Sequence, residues 1–189
     1  MREIALHLLD IAENSAAAES RNISIEVHED LNLDLLTVCV TDDGRGLNTE
    51  TARNVQDPFY TTRATRNIGL GIPLLKLAAE LTEGGFSLQS EPGIGTRVEA
   101  VFRHSHIDRM PLGDLSSTFL TTLISHPSIH WIFIYRVTDK AGTRQEFIFD
   151  DVELKSELVD PSLTEPEVLA FVRGMIDEGI EALAPQMVS

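Results

Sequence analysis

The stretch LLTVCVTDDGRGL, residues 35–47, changes character halfway along. Leu36, Val38 and Val40 alternate with their neighbours, as in a strand with one buried face. Cys39, inside the apolar run, reads as a buried structural thiol. The second half gives way to acid and glycine, with Asp42, Gly44 and Gly46 spaced D-x-G-x-G at the strand's end. A carboxylate placed there can accept a hydrogen bond from an exocyclic amine, and glycines let the backbone approach a planar ring. A simple turn uses the same residues, so the pattern takes its meaning from what flanks it.

Upstream, LHLLDIAENSAAAES (6–20) belongs to a first helix over residues 3–20, with Ile4, Leu8, Ile11 and Ala12 at helical spacing. Asp10 and Asn14 lie four residues apart and leave the same face. Neither is a good helix former and neither caps an end, so local propensity does not explain them. NISIEVHE (22–29) is the next half-buried strand. Downstream, the periodicity fails from Asp42 to Asn67, a length typical of a functional lid or binding loop. Arg63 and Arg66 then precede Gly69, Leu70 and Gly71, which open a second helix that tolerates Pro73 in its first turn. Free amides at such a helix start form an anion site, with a flexible hinge as the competing reading. FSLQSE (86–91) and TRVEAVFR (96–103) are two strands joined by the turn PGIG.

After Arg103, HSHIDRMPLG (104–113) reads as a linker, so two units are expected, 1–104 and 105–189. The second holds a helix near 114–125, the strands IHWIFIYRV and RQEFIFDD, and a last helix with Val168, Val172, Met175 and Ile176 on its apolar face. Alternation of Trp131, Phe133 and Tyr135 implies one buried face, in the core or at an interface.

Composition narrows the function. The chain of 189 residues is 42% hydrophobic and carries 30 acids against 15 bases, a formal charge of −15. That charge opposes binding to nucleic acid or an anionic membrane. The apolar runs are too short to span a bilayer, the opening residues lack the pattern of a signal peptide, and the single cysteine fits a reducing cytoplasm.

Five blocks in order, LHLLDIAENS, DDGRGL, DPFYTTR, GLGIPLLK and GIGTRVEAVF, resemble the Bergerat-fold ATP-binding domain of the GHKL superfamily over roughly residues 3–103. That superfamily includes DNA gyrase B, heat-shock chaperones, sensor histidine kinases and MutL. The resemblance implies an α+β fold: a two-layer sandwich with helices on one face of a mixed sheet, here with a small C-terminal α+β unit. It implies ATP and Mg²⁺ as ligands. Asn14 matches the magnesium ligand, and Asp42 the aspartate that binds the adenine amino group, with Gly44 and Gly46 beside the base. Gly69, Leu70 and Gly71 match the phosphate loop with Arg63 alongside, and Thr96 the threonine near the adenine contact. Asp10 stands where the superfamily's ATPases carry a glutamate general base, and Asn67 replaces the first glycine of the usual G-x-G-L-G.

None of the six histidines sits in a phosphoacceptor context, so a stand-alone form is expected. His7, one turn before Asp10, could approach a phosphate or simply pack. Three functions are compatible with the resemblance. The first is an ATPase or protein kinase that docks a protein partner through residues 105–189. The second is a nucleotide-controlled binding module, and the third a structural subunit with a relic site.

Overall fold

The computed structural model describes residues 3–57, 71–157 and 165–183. Helix α1 (Ile4–Ala17) leads into strands β1 (Asn22–Asp30) and β2 (Leu35–Asp42), then α2 (Thr49–Asn54) and α3 (Gly71–Leu81). Strands β3 (Gly85–Glu91) and β4 (Gly95–Arg103) come next, then α4 (Leu115–Ser125), β5 (His130–Thr138) and β6 (Arg144–Asp150). Helices α5 (Asp151–Glu157) and α6 (Pro166–Leu183) close the described chain.

The alternation in β1 and β2 is realised as an antiparallel pair. Ile25 faces Val40 and Val27 faces Val38, and all four are buried. Among the described residues the sheet has six strands in the order β3-β4-β2-β1-β5-β6, with β1–β5 parallel and the other pairs antiparallel. Its apolar face packs under α1, α3, α4 and α6, giving the mixed-sheet α+β sandwich. Its other face carries charge pairs: Arg136 lies 2.5 Å from Glu26 and 3.0 Å from Glu146, and Arg97 lies 2.7 Å from Glu99.

The boundary expected after residue 104 does not separate two sheets or two cores. β5 pairs with β1 along its whole length, from Asn22 beside His130 to Asp30 beside Thr138. Trp131 and Phe133 are at most 1% exposed and join the cluster that contains Ile4, Leu8 and Phe102. Phe119 of α4 fixes this junction, with ring centroids 5.4 Å from Phe133, 5.4 Å from Phe149 and 6.4 Å from Trp131. Glu29 faces the core, hydrogen-bonded by the Tyr135 hydroxyl and lying 2.6 Å from His104 Nε2. A parallel partner can arrive only after a long crossover, so no local pattern in the sequence announces the β1–β5 pair.

Two short helices escape the sequence pattern. α2 lies inside the segment expected to be irregular; it is capped by Asn48, whose side chain accepts from Thr51 N at 2.8 Å. α5 continues from β6 without a break, its turn closed by Asp150 accepting from Val152 N at 3.0 Å. The expected linker is also structured. Pro111 O and Leu112 O accept from Ile4 N and Ala5 N at 3.0 and 2.8 Å, and among the described residues no side chain caps α1.

Replacing Phe119 by alanine should cost about 3–5 kcal/mol in a urea titration followed by circular dichroism. A chain cut after residue 106 should show no cooperative melt, because it would strip β5 from β1 and bare Ile23, Ile25 and Val27.

Candidate functional site

The apolar positions of α1 dictate which residues it turns away from the core. With Ile4, Leu8, Ile11 and Ala12 packed on the sheet, His7, Asp10 and Asn14 fall at i, i+3 and i+7 along one further stripe. Each holds a buried polar atom with no hydrogen-bond partner among the described residues: His7 Nδ1, Asp10 Oδ2 and Asn14 Nδ2. Among the described residues nothing donates to that Asp10 oxygen and nothing accepts from that Asn14 nitrogen. Opposite them stands the first residue of α3. A Cβ built on Gly71 would lie 1.9 Å from Asp10 Oδ2, so a side chain here would push that carboxylate from its place.

Asp42, 8% exposed, ends β2 on the core face of the sheet beside Thr96 of β4. Its Oδ2 accepts from Ser15 Oγ at 2.6 Å, and its Oδ1 from Gly44 N at 2.9 Å and Ser20 Oγ at 3.2 Å. A carboxylate has about four acceptor positions, which leaves one for an incoming amine. Ser15 and Ser20 are site residues that the sequence motifs did not reveal. The signal for Ser15 was present, since it lies one turn beyond Ile11 on the buried side; nothing local marked Ser20. Ser90 completes the corner, its hydroxyl lying 2.8 Å from Thr96 Oγ1 and accepting from Leu47 N at 2.8 Å. Asp42, Ser90, Gly95 and Thr96 line an open hollow of about 320 Å³.

The glycines of DDGRGL have a different neighbour from the one expected. Gly46 has φ +64°, and a Cβ there would fall 2.1 Å from Glu91 O; on Gly44 it would fall 2.5 Å from Ser20 Oγ. The steric demand for glycine comes from the chain itself, where the loop is pinned between the end of α1 and the β3–β4 turn. Arg45 contributes both ties, its N donating to Ala18 O and its O accepting from Gly93 N.

The structure thus brings Asp10 to Gly71, and Asp42 to Gly44 and Thr96, with Asn14 on the helix that serves both groups. Arg63, Gly69 and Leu70, with Arg66 and Asn67, lie outside the described residues. One further cluster, His130, Asp150 and Asp151, gathers near the start of β5. Lys155 Nζ, 2.5 Å from Asp151 Oδ2, already supplies a positive charge there.

Comparison with known proteins identifies the family. A family model, histidine kinase-, DNA gyrase B- and HSP90-like ATPase, matches residues 1–106. The chain belongs to this ATPase family. Its curated relatives include a putative sensor protein of Shewanella frigidimarina, 26% identical over 103 residues that make up 54% of this chain and 15% of that protein. The heme sensor protein HssS of Staphylococcus saprophyticus is 32% identical over 80 residues, 42% of this chain and 17% of the relative. The cell-division control histidine kinase PdhS of Brucella ovis is 30% identical over 115 residues, 54% and 11%. The chain therefore spans between 11% and 17% of the length of these ATPase-family relatives. A solved structure, the Aquifex aeolicus MutL ATPase domain complexed with ADP, aligns with a TM-score of 0.47 at 13% identity, covering 71% of this chain and 60% of that one. Among the described residues no helix is long and apolar enough to cross a membrane.

Burial lowers the pKa of His7 and of His28 below the ordinary imidazole value of 6.5, so the unfolded chain binds protons that the folded chain refuses. Stability should fall as the pH drops below 6.5 and continue falling until the folded-state values are passed. Urea midpoints at about pH 7.5 and about pH 5.5 measure this, and His7→Gln should shrink the difference between them.

Proposed function

We propose that this chain binds Mg-ATP and acts as an ATPase or as a phosphotransferase toward a protein. The observation that carries the reading is the pair of complementary buried atoms, Asp10 Oδ2 and Asn14 Nδ2, unpartnered among the described residues on the α1 stripe that faces the start of α3. An unsatisfied acceptor and an unsatisfied donor on one buried stripe are costly unless a ligand meets both. A hydrated cation with a phosphate does so, and the amides at the start of α3 favour that phosphate.

In this reading Asp42 accepts a hydrogen bond from the adenine amino group at its one open acceptor position, with Thr96 beside it. Asn14 offers its oxygen to the cation, being a hard ligand of the kind magnesium accepts. Bound Mg²⁺ would neutralise phosphate charge and polarise the phosphoryl oxygens. Asp10 would take the proton from the attacking water or hydroxyl. Arg63, Gly69 and Leu70 belong to the proposed set on the sequence resemblance.

A second reading, a nucleotide-controlled binding module, has its own support. Residues beyond 104 hold the site helix from two directions, through the Pro111 and Leu112 carbonyls and through His126 Nε2, 2.9 Å from Glu13 Oε2. A change at Asn14 would reach that surface through the neighbouring Glu13. A partner would then read the outer side of 105–189, since the aromatic side of β5 is used in the core.

Asp42→Asn should weaken ATP and ADP binding roughly ten- to a hundredfold by calorimetry, since a charged acceptor is lost in a buried site. Unchanged affinity in the folded variant would remove the proposal. Asn14→Ala should weaken Mg-ATP while sparing metal-free nucleotide. Asp10→Asn should preserve binding and cut turnover of labelled γ-phosphate by about 10²–10⁴-fold if Asp10 is the general base. Turnover unaffected by that change would assign proton removal to another group.

A further inference from the structure

His130, Asp150 and Asp151 meet where β5 begins, β6 ends and α5 starts. A ring nitrogen of His130 and one oxygen of each carboxylate lie within 4.8 Å of one another. The neighbouring strand sets the tautomer of the ring. Asn22 Nδ2 donates to Asp43 Oδ2 at 2.6 Å, which turns Asn22 Oδ1 toward His130 Nδ1 at 2.9 Å. A carboxylate only accepts, so the amide cannot be reversed, and Nδ1 must carry the proton. In the neutral ring Nε2 is then a bare acceptor. It lies 2.9 Å from Asp150 Oδ1, itself an acceptor that takes Val152 N at 3.0 Å. Two acceptors this close repel unless positive charge stands at Nε2. The Asp151 carboxylate makes an independent demand. Asp151 is 0% exposed, and neither of its oxygens has a hydrogen-bond partner among the described residues. Lys155 pairs with Oδ2 at 2.5 Å while also donating to Ile129 O, and no ion pair among the described residues reaches Oδ1. A proton on Nε2 would answer Asp150 and leave the buried Asp151 oxygen bare. A cation among the three ligand atoms answers both.

We propose that His130, Asp150 and Asp151 form a site for a divalent transition metal of the zinc class, which ties β5, β6 and α5 together. One imidazole nitrogen and two carboxylate oxygens are a donor set that zinc accepts, whereas magnesium and calcium favour oxygen alone. With bonds of roughly 2.0–2.2 Å and tetrahedral angles, ligand atoms around zinc stand about 3.3–3.5 Å apart. The 2.9 Å contact therefore opens slightly and the widest separation closes. The His130 and Asp150 side chains are 29% and 45% exposed, which gives them room to adjust and gives the metal a path from solvent. Asp151 supplies the buried ligand. The bond from His130 Nδ1 to Asn22 is the outer contact that orients a ligating histidine. Lys155 offsets one of the two carboxylates, so negative charge is left to draw a cation.

The test strips the full chain of metal with a chelator and titrates it with zinc chloride against a chromophoric zinc indicator, alongside thermal melts. The expected result is one zinc per chain at micromolar affinity or tighter. The melting temperature should climb with zinc concentration, since the metal binds the folded form. His130→Gln and Asp150→Asn should each weaken zinc binding at least about tenfold. His106→Gln is the control, because that ring also lies near an aspartate, 4.0 Å from Asp108. Its zinc affinity should stay within about twofold of the parent. Cobalt(II) gives a reading in the parent chain alone, whatever the variants do to folding. It should broaden the amide signals of Trp131 and Val152 before those elsewhere. Broadening centred on Asp10 and Asn14 would place the metal on the α1 stripe and overturn the inference. Zinc held as tightly by both site variants as by the parent, or not held by the parent, would overturn it as well. None of these outcomes bears on the proposed nucleotide binding.

Discussion

The structure depends on how the first turn of α1 is satisfied. A helix start leaves amides without intrahelical acceptors, and here no described side chain takes them. Pro111 and Leu112 carbonyls do, reached by a segment that has already crossed the sheet and turns back over the core. Gly113, at φ +81°, lies against Glu3, and a side chain there would meet the Glu3 carboxylate. The helix that carries His7, Asp10 and Asn14 is therefore set in place by residues more than a hundred positions away. That single dependence joins the ATPase-family portion of the chain to the residues beyond 106.

The sheet repeats the arrangement on a larger scale. β1 has β2 on one side and β5 on the other, and the aromatic side chains of β5 fill the space beneath α4. Family membership spans residues 1–106, yet the hydrophobic core continues through Trp131, Phe133 and Phe149 to Ile176 of α6. Inherited sequence unit and folded unit differ in extent. The reason is energetic: β1 has apolar residues at alternate positions along its length, and a strand of that kind in mid-sheet is stabilised by neighbours on both sides.

The site is built by the same contacts that build the fold. Asp42 belongs to the β2 register and is held by serines from α1 and the turn after it, so the fold itself fixes the carboxylate. Preorganised polar groups of this sort cost stability in the free protein and return it on binding. Asp10, Asn14 and His7 each keep a buried polar atom without a hydrogen-bond partner among the described residues.

The alternation of residues 35–41, the helical spacing of residues 4–12 and the order of the five blocks were legible in the sequence. Those features fixed the mixed sheet, its helical layer and the family, because period and local chemistry are properties of short segments. The sequence also placed Asp10, Asn14 and Asp42 as polar residues at odds with their surroundings. Tertiary structure decided the rest. It set β5 beside β1, turned the presumed linker into a helix cap, and brought Ser15 and Ser20 onto Asp42. It gave Gly44 and Gly46 a steric reason inside the chain, and it set Gly71 against the Asp10 carboxylate. Each of these depends on groups distant in sequence meeting within a few ångströms, and the choice of such partners is made by the packing of the whole core.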